Sequence, residues 1–447
     1  MIIIRHPVFI YFWVGLLTFF QACQQHAGSA KVDSDTTAVP AAASDERPLP
    51  APFATKSVKN YSKVIGWPAN VTPKAPDGFI VTRYVDGLQN PRWIYVAPNG
   101  DVLVAEASTE KKGVKKIVDQ VTGKAKSQAT EGSADRIHLF RDKDDDGKPE
   151  HQQVLLSGLN QPFGMLVLGN ALYVANTDGL VQFPYQTGQT EIKSAGKKIV
   201  ELPAGGYNNH WTRNILSNKA QTKIYIAVGS GSDHGENGME HEVRRACILE
   251  INPDGSGETI FASGLRNPVG MGWAPGTGDL WTAVNERDDL GDDLVPDYLT
   301  HVKAGAFYGW PYAYFGSNPD PRLKGAHPEL VEQTVKPDVS LGAHTASLGL
   351  AFYDKKTFPS KYFGGAFVGQ HGSWNRSELS GYKVVFVPFQ NGKPAGPPED
   401  FLTGFIADLD KNEVYGRPVG LAVLPDGSLL VADDVSNTIW RVQASGR

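Results

Sequence analysis

The sequence predicts an all-β fold, a six-bladed β-propeller, and three observations predict it. A phrase recurs along the chain: "GLQNPRWIYV" from Gly87, "GLNQPFGMLV" from Gly158, "GLRNPVGMGW" from Gly264 and "YGRPVGLAVL" from Tyr415. Each phrase holds a turn-forming Pro, then a small or aromatic residue, then an apolar run. Each leads into two apolar runs split by a hairpin signal, at Asn99-Gly100, Gly169-Asn170, Gly276-Thr277-Gly278 and Asp426-Gly427. Long amphipathic helical patterns are missing. Self-similar units of strands that close on themselves describe a propeller, which protects sheet edges by closure.

The units can be taken in order. Two weaker copies, from His210 ("HWTRNILSNKAQTKIYIAVGSG") and from Ser347 ("SLGLAFYDKKTFPSKYFGGAFVGQHGSWN"), bring the count to about six. The C-terminal runs "LLVADD" and "TIWRV" are expected to pair with "GFIVTRYV", which precedes Gly87, and so close the ring. One domain, residues 56–447, accounts for all of this. Upstream, residues 1–23 carry one early Arg, an apolar run and Ala22-Cys23, the pattern of an export signal whose Cys23 is lipidated. Residues 24–55, rich in Ala, Ser, Pro and Asp, read as a disordered tether. The expected location is extracytoplasmic, with membrane contact only through the lipid anchor.

Composition bounds the function. A formal net charge of −5 gives no electrostatic reason to expect nucleic acid. Two cysteines, Cys23 and Cys247, build no disulfide framework. There is no C-x-x-C-H for covalent haem, and no G-x-G-x-x-G in a strand–helix setting for a dinucleotide.

Chemistry is expected where the repeated phrases meet the propeller axis. Arg92, Arg213, Arg266, Arg376 and Arg417 stand beside those phrases or their weaker copies, with Asn267 next to Arg266. Guanidinium groups stay charged and pair carboxylates in a bidentate fork, so their convergence implies a multiply anionic ligand. His210, between Asn209 and Trp211, is placed to accept a hydroxyl proton. His371 and His344 stand in comparable loops. Glu286, Asp288, Asp289, Asp292 and Asp293 crowd one loop, a density that a hard cation such as Ca²⁺ would relieve. A second acidic run, Asp142 to Gly147, has the D-x-D-x-D-G spacing but Gln153 at its twelfth position, and reads as a polar hairpin tip.

Across "GLRNPVG…LW…NERDDLGDDLVPDYLT…GAFYGWPY", with "HWTRN", the chain resembles the sugar dehydrogenases that use pyrroloquinoline quinone (PQQ), the L-sorbosone dehydrogenase branch more than the soluble glucose dehydrogenases. The likeness runs from about Gly87 to Trp440. It implies a propeller quinoprotein that oxidises an aldose or aldehyde sugar by hydride transfer to PQQ. An external cytochrome or quinone would then accept the electrons. It implies that Arg92, Arg213, Arg266, Asn267, His371, Arg376 and Arg417 surround PQQ, that His210 is the base, and that Ca²⁺ is held partly by backbone carbonyls, at Arg287 and Asp288 with Glu286 as a further candidate. The soluble glucose enzyme carries Asp where Asn209 stands, so the carboxylate orienting His210 either comes from elsewhere, with Asp233 as the candidate, or is absent. It also carries Lys near the quinone oxygen, where this chain reads Gln370-His371-Gly372. Two other readings remain: a calcium-dependent propeller lactonase, against which stands the clustering of the acids in one loop, and a non-catalytic binding propeller, against which stands the arginine set.

Overall fold

The computed structural model describes residues 48–109, 124–127, 132–144 and 146–446. The stretch read as a signal, with Cys23, and most of the stretch read as a tether lie outside them. The architecture is all-β, as expected. Among the described residues the one α-helix is Pro328–Gln333, and six four-stranded antiparallel sheets carry the fold.

Sheet 1 comprises Pro91–Val96, Val102–Glu106, Arg136–Arg141 and His151–Leu156. Sheet 2 comprises Met165–Leu168, Ala171–Asn176, Gly179–Pro184 and Lys197–Glu201. Sheet 3 holds Arg213–Ser217, Ile224–Val228, Cys247–Ile251 and Thr259–Ser263. Sheet 4 holds Pro268–Trp273, Leu280–Val284, Pro296–His301 and Val339–Ala343. Sheet 5 holds Ser347–Phe352, Ala366–Gln370, Lys383–Val387 and Glu399–Leu402. Sheet 6 joins Pro418–Val423, Leu429–Asp433 and Thr438–Ala444 to a strand from far upstream, Phe79–Val85, with Phe79 opposite Ala444. That is the pairing anticipated for "GFIVTRYV". The hairpin glycines Gly100, Gly169, Gly276, Gly278 and Gly427 all have positive φ, as the turns require.

The repeated phrase begins the first strand of sheets 1, 2, 4 and 6, and these first strands pack against one another. The small residue two after the Pro is explained by that packing. A β-carbon on Gly420 would come within 2.6 Å of the Arg92 carbonyl oxygen, and one on Gly349 would overlap the Val419 carbonyl oxygen. Gly164 meets the backbone of Arg213 to Ile215 in the same way, and Gly270 that of Leu348 to Leu350. Asn214 donates to the Val269 carbonyl at 2.8 Å. In sheet 1 the equivalent residue is Trp93, which packs on Phe163 of the segment entering sheet 2, with ring centroids 4.8 Å apart. There the Tyr95 hydroxyl also accepts from Val167 N–H at 3.1 Å. Each first strand thus touches the next, and the sixth touches the first. Apolar clusters fill the gaps between neighbouring sheets. One joins sheets 1 and 2 through Leu103, Leu139, Phe163 and Leu172, and another joins sheets 5 and 6 through Phe367, Phe401, Leu429 and Trp440.

Residues 48–55, the end of the stretch read as tether, lie against the body. Phe53 N–H donates to the Leu290 carbonyl at 2.8 Å, and the Thr55 hydroxyl accepts from Asp292 N–H at 2.7 Å. Ordered packing therefore begins before residue 56.

Candidate active site

The residues just before the first strands, and just after the second, open onto one cavity of about 300 Å³. Of the residues singled out in the sequence, the cavity brings together Arg92, His210, Arg266, Asn267, Asp288, His344, His371 and Arg417.

On one side stands a His–Asp–Arg cluster. Asp434, at the end of the second strand of sheet 6, takes Arg92 Nη1 on Oδ2 at 2.6 Å and His371 Nε2 on Oδ1 at 2.9 Å. Burial pushes the Asp434 carboxyl up, but His371 and Arg92 outweigh it and hold it well below the ordinary range. Burial lowers the His371 pKa to about 4, with Arg417 adding to the shift and Asp434 opposing it. Arg417 donates to the carbonyls of His371, Gly372 and Ser127 at 2.8–2.9 Å. Arg92 lies over the Trp211 ring at 5.6 Å, and its Nε is buried without a partner among the described residues.

Across the cavity, Arg266 fastens a loop. Its Nη2 donates to Asp233 Oδ1 at 2.7 Å, and its Nη1 to the carbonyls of Glu286 at 2.7 Å and Asn285 at 3.1 Å. Burial alone would lower the Arg266 pKa, but Asp233 and Asp288 more than reverse it. Asp288 N–H also donates to Asp233 Oδ1, at 3.0 Å. The Asp288 carboxylate faces His344 Nδ1 at 3.2 Å and lies 3.7 Å from Arg266. The Asn267 carbonyl oxygen Oδ1 is buried and unpartnered among the described residues.

His210 is held through Nδ1. That nitrogen lies 2.8 Å from the Ser230 carbonyl and 3.1 Å from its hydroxyl oxygen. The Ser230 hydroxyl donates its own proton to the Ser232 carbonyl at 2.6 Å, so toward His210 it can only accept. Nδ1 therefore carries the hydrogen and Nε2 keeps the lone pair. Burial first, then the Arg266 charge, lowers the His210 pKa to about 3, so the ring is neutral at ordinary pH. This corrects one expectation. Asp233 does not orient His210; it is committed to Arg266, Asp288 N–H and Arg322.

Four other residues lie apart from the cavity. Arg213 is fully buried, and its guanidinium donates to the carbonyls of Pro203, His210 and Thr212 and to Asn208 Oδ1. It props the His210 backbone from behind, and burial lowers its pKa to about 9. Arg376 turns outward to the Asp292 carbonyl at 2.8 Å and the Asp293 carboxylate at 3.0 Å. The side chains of Glu286 and Arg287 pair with each other at 3.0 Å, and Arg287 also reaches Asp320 at 3.1 Å. Both side chains are fully buried, and of these three residues Asp288 is the one that lines the cavity; the expectation placed the cation partly on backbone carbonyls, and the Glu286 carbonyl is taken by Arg266.

The sequence reading missed Asp434, Ser230, Tyr61 and Trp374. Trp374 stood inside the quoted "GSWN", and Asp434 in the acidic pair ending "LLVADD". Ser230 carries no sequence signal, because its carbonyl does most of the work. The D-x-D-x-D-G run is a hairpin tip of sheet 1, away from the cavity, where Asp142, Asp144, Asp146 and Glu150 bring carboxylate oxygens within 4.8 Å of one another.

Residues 73–301 and 326–445 match one protein family, described as TrAA12-like. The chain belongs to this TrAA12-like family. It is 30% identical to an uncharacterized protein of Borreliella burgdorferi over 64% of this chain and 76% of that one. It is 22% identical to a pyrroloquinoline quinone-dependent sugar dehydrogenase of Hypocrea jecorina, over 83% of this chain and 90% of that one. Among solved structures, a calcium structure of the Trichoderma reesei carbohydrate-active enzyme of family AA12 superposes with a TM-score of 0.66 at 20% identity, covering 83% of this chain and 97% of that one. At that identity the likeness establishes a shared fold. The family match spans every cavity residue named above except Tyr61.

Proposed function

We propose that this TrAA12-like protein is a PQQ-dependent sugar dehydrogenase, a six-bladed propeller whose blades are the six sheets and whose central cavity holds the cofactor. One observation carries the reading. Arg92, Arg266 and Arg417 converge on a cavity that also holds an unpartnered guanidinium N–H, an unpartnered amide oxygen and a neutral, oriented imidazole. PQQ is planar and carries three carboxylates, so its charge suits these guanidinium groups. Arg92, Arg266, Asn267, His371 and Arg417 would hold it. When bound, it supplies a two-electron acceptor that no side chain here can provide.

Oxidation of an aldose at C1 removes a hydride and the hydroxyl proton. His210 Nε2, with Nδ1 fixed by Ser230, takes that proton. Arg213 keeps the His210 backbone in place. A calcium ion would be held partly by backbone carbonyls of the Glu286–Asp288 segment, where Asp288 lines the cavity. A sorbosone-like sugar is the substrate read from the sequence, and a cytochrome or quinone the acceptor. Cys23 would carry a lipid that tethers the domain outside the cytoplasm. Among the described residues, no helix is long and apolar enough to cross a membrane.

The test is reconstitution. Purified protein titrated with PQQ and Ca²⁺ should gain the quinone absorbance stoichiometrically, melt at a higher temperature and reduce a dye when given aldoses. A saturating ligand at about 100 times its Kd adds about 2.7 kcal/mol to stability. Arg266→Ala should weaken the titration far more than it lowers the melting temperature of the cofactor-free protein. Identical titrations for Arg266→Ala and wild type would rule the assignment out.

A further inference from the structure

Residues 48–65 form an extended strap across the cavity end of three sheets. The strap meets the Leu290–Asp292 loop of sheet 4 through Phe53, Thr55 and Ser57. It crosses the Trp374–Ser377 loop of sheet 5, where Asn60 N–H donates to the Trp374 carbonyl at 2.8 Å and Asn60 Nδ2 to the Ser377 carbonyl at 2.9 Å. It ends beside sheet 6, where Lys63 and Val64 pair in parallel with Glu413 and Val414. Those contacts fix Tyr61 in place. Its ring lies on that of Trp374, with centroids 5.8 Å apart and planes 6° from parallel. Both rings line the cavity.

The depth of these groups separates them into two sets. Arg266, Asn267 and Arg417 are only 3–6% exposed, whereas Tyr61 and Trp374 are partly exposed. Arg266 and Arg417 lie deep, Arg92 is partly exposed, and the aromatic pair is partly exposed at the strap. In the proposed reading the deep side of the cavity, where these guanidinium groups stand, receives the anionic cofactor. The two rings are uncharged and offer apolar surface to a cavity whose lining also holds Asn208 and Asn209. The C–H face of a pyranose ring matches such a surface, with its hydroxyls left to the polar rim. The family match starts at residue 73, so Tyr61 comes from outside the matched residues.

We propose that Tyr61 is a specificity-determining residue: stacked on Trp374, it completes an aromatic platform on which the ring of a cyclic aldose rests above the anion site. This rests on the sugar-dehydrogenase reading. It assigns the strap a part in choosing the substrate and none in holding the cofactor.

The experiment compares wild type, Tyr61→Ala and Tyr61→Phe, each reconstituted with PQQ and Ca²⁺. Tyr61→Ala should raise KM for aldoses roughly 3- to 10-fold, the scale of one lost aromatic contact. Its kcat should stay within about twofold, its PQQ titration should be unchanged, and Tyr61→Phe should restore KM. Thermal melts of the three proteins show whether the strap stays docked. An unchanged KM in a folded Tyr61→Ala protein overturns the proposal. So does a PQQ titration that weakens in step with KM, which would make Tyr61 a cofactor residue. A wild-type protein that takes up no PQQ removes the sugar-dehydrogenase reading itself, and this inference with it.

Discussion

His210 depends on a chain of small constraints. The Ser230 hydroxyl gives its proton to Ser232, which forces it to accept from His210, and the Ser230 carbonyl accepts from the same N–H. A carbonyl fixes the tautomer without placing a negative charge beside the ring. The imidazolium is therefore poorly stabilised, and the pKa falls to about 3 through burial and the nearby Arg266 charge. In the cofactor-free protein, nitrogen NMR should show His210 neutral down to about pH 5. A ring that titrates near its ordinary value of about 6.5 would contradict this environment. His210→Ala should lower kcat about 10²- to 10⁴-fold with PQQ uptake intact. The same depression sets an acid limit on stability. Unfolding releases His210 and His371 to protonate near pH 6.5, whereas folded they resist protonation until about 3 and about 4. Their contribution is complete above pH 6.5 and is lost as pH falls through that window.

The first strands of the sheets are where sequence and structure agree most closely. The repeated phrase fixed where each unit begins, because a Pro that enters a strand and a glycine two residues later answer a local demand, close approach of one backbone to the next. Gly420 shows the demand at its clearest, with the Arg92 carbonyl 2.6 Å from where its β-carbon would be. Gly420→Ala should destabilise by about 1–3 kcal/mol, read as a lower denaturant midpoint, because the first strand of sheet 6 must back away from sheet 1. A wild-type midpoint would mean that this interface is slack. The arginines were only partly legible for the same reason. Arg92, Arg266 and Arg417 adjoin such phrases and reach the cavity. Arg213 and Arg376 belong to the weaker copies and are consumed by carbonyls and acids elsewhere. Tyr61 was not legible, because nothing in "NYSKV" reports that its backbone is pinned to a loop more than three hundred residues downstream.

At the scale of the whole molecule, Arg92, Arg266 and Arg417 meet the carboxylates of Asp288 and Asp434 at one cavity, while the chain as a whole carries a formal net charge of −5. The first described residues, within the strap, lie at the cavity end, where Phe53, Thr55 and Ser57 meet the Leu290–Asp292 loop. A tether attached there would keep the cavity near whatever surface it is anchored to. Cys23→Ser should therefore move the protein from the membrane fraction to the soluble extracytoplasmic fraction without changing PQQ uptake. Mature protein that starts away from Cys23 and bears no lipid would end the anchor proposal.

Sheet 6 has a further consequence, for how the protein is made. Its third strand, Thr438–Ala444, is inserted between Leu429–Asp433 and Phe79–Val85, a segment synthesised before any of the other five sheets. A nascent chain that has emerged as far as Leu402 owns five finished sheets and still lacks Arg417 and Asp434. Phe79–Val85 must wait, with its pairing edge open, until the last strand arrives, and long-range pairing of this kind is slow. The cavity does not exist until that strand docks. A cofactor held in part by Arg417 would therefore be captured only after this last sheet has formed.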